Sequence, residues 1–258
     1  MAMLEARRLV KRFYGHAVVD HVSFAVHRGE VVGYLGPNGS GKTTTTRMLT
    51  GLLEPTTGAV LFEGRETRLD SIEFRRRLGY VPEEPHLYGF LSGREHLQLV
   101  GRLREMPMAL MDRRIDALLE LFGLSDTAEQ GIASYSKGMK QKILVIGALL
   151  HDPDLLIFDE PDTGLDVTSA LVLRHLIANL AARGKAILYT SHILDVVEKL
   201  CTRVIVLHEG RVVADDSVQQ LRTVLASGSL EEVFARLVLR RDPEKIARDI
   251  ADVVTVGV

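Results

Sequence analysis

One cysteine, Cys201, stands in the 258 residues of this chain. A disulfide framework is therefore impossible, and so is a cysteine-rich metal site within one chain. Cys201 reads as a small core residue, in keeping with a reducing compartment. No apolar run approaches the roughly 18 residues needed to span a bilayer, so any work at a membrane is done from the side and through a partner. Residues 1–16 carry charge but no apolar stretch leading to a cleavage site, which is not the pattern of a secretion signal. Neither sign of charge is in excess: 32 basic and 34 acidic residues leave a formal net charge of -2. That balance gives no reason to expect nucleic acid or a polybasic membrane anchor. Repeats, low-complexity segments and any Ser/His/Asp or Cys/His constellation for covalent catalysis are also lacking.

The hydrophobic share of 46% is enough for a substantial core, at a length where one domain begins to divide into two. Short apolar runs mark strands at 31–35, 58–62, 78–81, 155–158, 186–190 and 204–207, with part of 17–26 strand-like as well. A helix is expected from the end of a glycine-rich turn to about Leu52, and another over 167–182, stopped near Gly184. Gly210 turns the chain into Val212-Val213. Between Gly93 and about Leu150 the pattern is helical; Arg113 to Phe122 has apolar residues at helix spacing and Gly123 ends it. This middle reads as a helical subdomain inserted into an α/β core. Ser217 to Ile250 reads as helical, with a break near Asp242-Pro243, and Leu230, Val233, Phe234 and Leu237 form a face that packs on the core. Strongly apolar short strands alternating with helices predict a mainly parallel sheet covered on both faces. Asp70, Asp112 and Asp116 read as solvated.

Gly36-Pro37-Asn38-Gly39-Ser40-Gly41-Lys42-Thr43 fits G-x-x-x-x-G-K-[ST], between a strand and a helix. In that setting successive backbone N–H groups turn inward on phosphate oxygens, and the helix N-terminus adds favourable partial charge. Lys42 is expected to reach the β- and γ-phosphates, and the Thr43 hydroxyl to ligate Mg²⁺. Thr44 is a weaker candidate near the α-phosphate. Asp159-Glu160 follows the apolar run LLIF, so both carboxylates sit at the carboxyl end of a buried strand, where such sheets bind ligands. Asp159 is placed to hold Mg²⁺, directly or through water, and Glu160 to polarise the attacking water.

Ser136-Lys137-Gly138-Met139-Lys140-Gln141 stands ahead of the helical run KILVIGALL. With it the chain, over about residues 1–220, resembles the nucleotide-binding subunit of ATP-binding cassette transporters. Phosphate loop, signature, acidic strand end, Asp166 and His192 occur in the family's order. The resemblance implies a P-loop NTPase core with a mainly parallel sheet, a smaller antiparallel β region and an inserted helical subdomain at about 90–150; residues 221–258 would be a helical extension packed on the core. It implies that Tyr14 stacks on adenine and that Ser136 and Gly138 contact the γ-phosphate held by a second cassette subunit. Asp166 would cross to the other site, and His192 would bond the γ-phosphate and orient Glu160. The cofactors implied are ATP and Mg²⁺.

Two positions depart from the family. Glu83 stands where a glutamine usually touches Mg²⁺ and the lytic water, and Lys137 replaces a glycine of the signature. Glu83 is retained as a metal-site residue that brings extra negative charge beside Glu160. The strings YVPEEPHLY, YSKGMKQK and SLEEVFARLV resemble bacterial subunits serving export-type permeases of the second ABC class, whose cargoes include drugs, peptides, polysaccharides, lipids and sodium. The expected partners are an identical cassette and an integral membrane permease, met through residues 93–122, with no nucleic acid. The expected place is the cytoplasmic face of the inner or plasma membrane. Two alternatives stay open from sequence: a soluble cassette ATPase in a nucleic-acid or ribosome process, and a non-hydrolysing ATP-binding subunit.

Overall fold

The computed structural model describes residues 1–67, 71–224, 229–238, 247, 248, 251, 253 and 254. In chain order the strands are β1 Leu4–Phe13, β2 His16–Val26, β3 Val31–Leu35, β4 Thr57–Phe62, β5 Arg65–Glu66, β6 Leu78–Val81, β7 Leu155–Asp159, β8 Ala186–Thr190, β9 Arg203–His208 and β10 Arg211–Ser217. The α-helices are α1 Lys42–Leu49, α2 Ile72–Arg77, α3 Gly93–Leu103, α4 Met108–Leu121, α5 Lys137–Leu149, α6 Val167–Ala182, α7 Leu194–Leu200, α8 Val218–Val224 and α9 Leu230–Val238.

The main sheet runs β10-β9-β3-β8-β7-β6, with every pairing parallel except β10 on β9. All residues of β3, β7 and β8 are buried, because both faces of the sheet are covered. Their side chains divide by strand alternation. Leu155, Ile157 and Leu188 pack with Met48 and Leu49 of α1 and with the antiparallel sheet. Leu156, Phe158, Ile187 and Tyr189 pack with Leu173 and Ile177 of α6 and Val197 of α7. The antiparallel sheet, β2-β1-β4-β5, lies over the first of these faces.

A separate core holds α3, α4 and α5 together around Leu97, Met111, Ile115 and Ile146. The insertion is less uniformly helical than its sequence pattern suggests: two 3₁₀ turns, at Ser125–Thr127 and Ile132–Ser134, separate α4 from α5. Gly123 ends α4 with φ 68°, a left-handed position that glycine takes at no steric cost. Helix α1 stops at Leu49 rather than near Leu52, because Gly51 turns out with φ 72°. In the described part of the C-terminal region, Leu230 and Val233 of α9 are buried in the second face's core, with Phe234 and Leu237 packed against it. Asp70 and the break expected near Asp242-Pro243 lie outside the described residues. Asp116 is not merely solvated, since Arg94 pairs with it at 2.6 Å, and Asp112 accepts from Gln98 at 3.2 Å. No helix among the described residues is long and apolar enough to cross a membrane.

An ion network ties the two sheets together. Arg77, at the end of α2, bonds Glu63 at 2.6 Å and Asp154 at 2.6 Å, and Arg28 bonds the same two carboxylates at 2.9 and 3.3 Å. The Arg77 guanidinium also lies 4.7 Å from the centre of the Phe62 ring. Bonds from Arg77 and Arg28 hold the Glu63 carboxyl down at about 2. Asp154 is also below its ordinary value: burial raises it, but the two guanidinium groups together outweigh that. A carboxylate with a depressed folded-state pKa contributes stability above its unfolded value, and that contribution is lost as pH falls toward the folded value. Arg77→Ala is therefore expected to lower Tm at pH 7 by roughly 2–4 °C. It should also flatten the loss of stability between about pH 5 and 3. Thermal melts of both proteins across that range check this, and parallel Tm–pH curves would remove the network from the role.

Candidate nucleotide site

The ladder of the main sheet brings four strand ends to one edge. Thr190 of β8 lies opposite both Tyr34 of β3 and Asp159 of β7, and Phe158 of β7 lies opposite Val81 of β6. The loop 36–41 leaves β3 there, Glu83 follows β6, Glu160 follows β7 and His192 follows β8.

The loop after β3 is packed too tightly for side chains at two of its glycines. A Cβ at Gly36 would come within 2.4 Å of the Leu207 carbonyl oxygen and of Ser40 Oγ; one at Gly41 would come within 2.7 Å of the Val18 carbonyl oxygen, and Gly41 has φ 103°. Gly41 is also the N-cap of α1, and it offers no side-chain cap, so the first N–H groups of that helix have no intrahelical partner. Lys42 folds back under it, with Nζ donating to the Gly36 carbonyl at 2.7 Å and the Pro37 carbonyl at 3.3 Å. Burial lowers the Lys42 pKa, against the pull of Glu160, Asp159 and Glu83, which favour the charged form. Ser40 Oγ is buried with no hydrogen-bond partner. The resulting cavity, about 310 Å³, is lined by Asn38, Gly39 and Gly41 to Thr44 of the loop with Val18, Glu83, Asp159 and Glu160.

Asp159 is 1% exposed and held by two hydroxyls: Thr190 Oγ1 donates at 2.6 Å and Thr46 Oγ1 at 3.0 Å. Burial raises its pKa, with Glu83 and Glu160 adding to the rise and the hydroxyls opposing it. Neither threonine is singled out by the motif pattern. The available signal was a polar residue ending an otherwise apolar strand, and a run of threonines, 43–46, continuing past the motif into a helix. Glu160 adopts φ 50° just before Pro161, a left-handed backbone that costs about 1–3 kcal/mol for a non-glycine residue. Its N–H is fixed by the Thr190 hydroxyl at 3.0 Å and the Thr190 carbonyl at 3.2 Å. Its Oε2 lies 2.7 Å from His192 Nδ1 and accepts from the His192 backbone N–H at 3.3 Å.

The ABC transporter family model matches residues 19–163. The chain is 39% identical to the ABC transporter ATP-binding protein NatA of Bacillus subtilis, over 86% of this chain and 91% of that protein. The chain belongs to the ABC transporter family. It is 38% identical to the Nod factor export ATP-binding protein I of Cupriavidus pinatubonensis, over 85% of this chain and 68% of that protein. A solved ATP-binding subunit of an ABC transporter superposes with a TM-score of 0.86 at 36% identity, covering 91% of this chain and 99% of that one. This cassette is an ATP-binding and ATP-hydrolysing subunit, with Mg²⁺ as its usual ion.

The other expected positions of the cassette lie outside the cavity lining. Tyr14 is fully exposed at the tip of the β1–β2 hairpin, in a two-residue turn with Gly15 in which both residues have positive φ. Ser136 caps α5 by accepting from the Met139 N–H at 3.2 Å. Gly138 follows in the first turn of α5. Asp166 caps α6, accepting from the Ser169 N–H at 2.9 Å and the Ser169 hydroxyl at 2.6 Å. The donor set suits Mg²⁺: Thr43 Oγ1 and Glu83 Oε2 stand 3.4 Å apart in a cavity that Asp159 also lines. These are hard oxygen donors, and too few to enclose an ion, which is how Mg²⁺ sits when phosphate oxygens complete its shell. Among the described residues no group of three or more His, Cys, Asp or Glu is clustered to hold a metal unaided.

Thr190→Val is expected to remove one of the two bonds to a buried carboxylate and one bond to the Glu160 N–H. The loss should be about 1–3 kcal/mol of unfolding free energy. Denaturant titration of the purified chain reads it; an unchanged midpoint at unchanged slope would show that the hydroxyl is not needed to hold Asp159.

Proposed function

We propose that this chain is the motor of an export-type transporter, acting as a pair with an identical copy on the cytoplasmic face of the membrane and driving an integral membrane permease. Residues 1–220 are the cassette and residues 221–258 an extension, of which the described helix α9 packs on the core. One observation carries the paired reading. The cavity has the phosphate loop, the two carboxylates and Glu83 on its walls, while Ser136, Gly138 and Asp166 lie outside it. Those three lie at the start of α5 and at the cap of α6, where N–H groups and helix dipoles favour an anion. An anion that reaches them from this chain's own cavity is not required; one presented by a second copy, turned by a two-fold axis, completes both sites at once.

In this reading the loop N–H groups and Lys42 hold the β- and γ-phosphates, Thr44 lies near the α-phosphate, and Tyr14 stacks on the adenine. Thr43, Asp159 and Glu83 hold Mg²⁺, which when bound neutralises charge on the phosphate oxygens. Asp159 has a hydroxyl on each oxygen, so it meets the ion through water or by exchanging one hydroxyl. Glu160 takes a proton from the attacking water and His192 orients it; their 2.7 Å contact supports that pairing. The work is positioning and charge stabilisation, with no covalent intermediate on the protein. Hydrolysis removes the group that holds the two copies together, and the pair opens.

The permease is expected to meet the helical subdomain. Tyr88 and Phe90, exposed and with ring centres 5.7 Å apart, stand on the loop that joins Glu83 to α3. Leu103 and Met108 are exposed at the facing ends of α3 and α4. The Tyr88–Phe90 pair, two exposed aromatic rings in contact, is the kind of feature that marks an interaction surface. Export as the direction is supported by the likeness to the Nod factor export protein. The balanced net charge of -2 offers no footprint for nucleic acid.

Glu160→Gln is expected to bind ATP and to pair, while turnover drops by about 10²–10⁴-fold. Size-exclusion chromatography with ATP and a phosphate-release assay read the two effects, and affinity capture of this variant from native membranes should recover a multi-span protein in stoichiometric amount. Turnover at the unsubstituted rate would take Glu160 out of the role, and recovery of self-pairs alone would take the membrane partner out of the reading. A second variant addresses the departure at position 83. Glu83→Gln removes a negative donor and should shift the Mg²⁺ concentration for half-maximal hydrolysis upward; a superimposable Mg²⁺ titration would exclude Glu83 from the metal site.

A further inference from the structure

The segment from Pro161 to Leu165 joins the Glu160 backbone to Asp166, and it is anchored from two sides by this chain alone. On one side, Gln141 of α5 is 2% exposed and donates from Nε2 to the Pro161 carbonyl at 3.1 Å. On the other, the Tyr189 hydroxyl donates to Asp162 Oδ2 at 2.5 Å, and the Arg174 guanidinium lies 3.5 Å from the same oxygen. The start of α5 also presses on the segment. A Cβ at Gly138 would come within 2.8 Å of the Gly164 carbonyl oxygen, and one at Gly164 within 2.7 Å of Lys137 Cγ. The lysine in the signature is thus accommodated by laying its stem along a glycine.

These contacts have two consequences. First, a buried amide that donates to a buried carbonyl fixes the distance between its two elements, because leaving either group unpaired is costly. Separating the α5 N-terminus from Pro161 therefore carries a penalty. Second, Pro161 is bonded to Glu160, whose left-handed backbone is held by Thr190, the neighbour of Tyr189. A shift of α5 is delivered to the Glu160 backbone with little slack.

We propose that Gln141 and Asp162 are positioning residues for Glu160. They tie the Ser136–Gly138 end of one chain's α5 to the same chain's own Glu160, so that nucleotide engaged by this α5 in the partner subunit's site adjusts hydrolysis in this one. The inference rests on the paired-site reading above. The linked element is the 161–165 segment, and the coupling is a bias on its placement.

The test is steady-state hydrolysis by the full chain as unsubstituted protein, Gln141→Ala and Tyr189→Phe, across ATP concentrations. The unsubstituted protein is expected to show positive cooperativity in ATP. Both variants should lose about tenfold in kcat, the loss expected from one buried hydrogen bond. Half-saturating ATP should hold steady, since the phosphate loop is untouched, and the Hill coefficient should fall toward 1, which a general loss of stability would not produce. Each variant combined with Glu160→Gln should still pair with ATP. Unchanged kcat and Hill coefficient in both variants would overturn the inference. If Gln141→Ala does not fold, Tyr189→Phe decides alone, because it deletes one hydroxyl facing Asp162 and keeps the ring in its apolar packing with Leu173 and Val197. Unsubstituted protein that neither pairs nor hydrolyses would bring down the paired-site reading itself, whereas protein that does both while the variants match it brings down only the link.

Discussion

The parallel register of β3, β8, β7 and β6 is the constraint on which the rest of this molecule depends. Thr190 stands opposite Asp159 on one side and Tyr34 on the other, so three strands end level with one another. The groups that continue from those ends, namely the loop at 36–41, the acidic pair and His192, are then neighbours without any further device. A slip of one residue in β7 would exchange Leu156 and Phe158 for Leu155 and Ile157 on each face of the sheet. Both faces are buried, so that slip would carry the acidic pair out of line while leaving the core about equally apolar. The register is instead specified by polar bonds at the ends of the ladder, with Asp159 taking one hydroxyl from Thr190 on β8 and another from Thr46 on α1.

The same edge concentrates groups that ordinary folding avoids. Lys42 is buried against backbone carbonyls, Asp159 is buried between two hydroxyls, and Ser40 Oγ is buried with no partner. Burial displaces Lys42 and Asp159 in the directions that disfavour charge, the lysine down and the aspartate up. Each displacement records desolvation only partly offset by neighbours. On the proposed reading, a polyanion with its cation, seated among Lys42, the loop N–H groups and the oxygen donors, would supply partners for both signs. The strain in the Glu160 backbone belongs with these features. Such costs gather where the local structure is set by a ligand and a reaction rather than by packing.

Much of this was legible in the sequence, and the parts that were not have physical reasons. Strands β3, β6, β7 and β8 read directly because burial on both faces makes them unbroken apolar runs. Helix α6 read over its full length, from Val167 to Ala182. Strand β1 did not, because Arg7, Arg8, Lys11 and Arg12 dilute its pattern and Arg8, with φ 47°, breaks the alternation between buried Ala6 and buried Leu9. Helices α2 and α7 are short and lean on their neighbours, so neither carries a long enough period. The 3₁₀ turns before α5 were hidden by the helical composition around them. At the site, the phosphate loop and the acidic pair announce themselves, since their spacing has a mechanical reason. Thr46 and Thr190 do not, since each matters through Asp159, more than 30 positions away; Gln141 stands in the signature string, but its bond to Pro161, 20 positions on, is not written there.

The two departures from the family pattern are of different physical kinds. Lys137 is a matter of packing: its stem runs along Gly164, and the pair is tolerated because glycine offers no Cβ to collide with it. Its charge remains at the first turn of α5, where a helix N-terminus already favours anions, so on the paired reading it strengthens a contact of the same sign. Glu83 is a matter of charge. It lies 3.4 Å from Thr43 Oγ1 and helps raise the pKa of Asp159, so it adds a like charge to a site that already has two carboxylates. That addition is unfavourable without a cation and favourable with one. A glutamine in its place would be nearly neutral in both states. On the proposed reading, position 83 therefore makes the closed, metal-loaded arrangement differ more from the open one than a neutral residue would, on the loop that leads to Tyr88 and Phe90. A larger difference between the two states at the nucleotide is what a motor needs if it is to move a second protein at the other end of that loop.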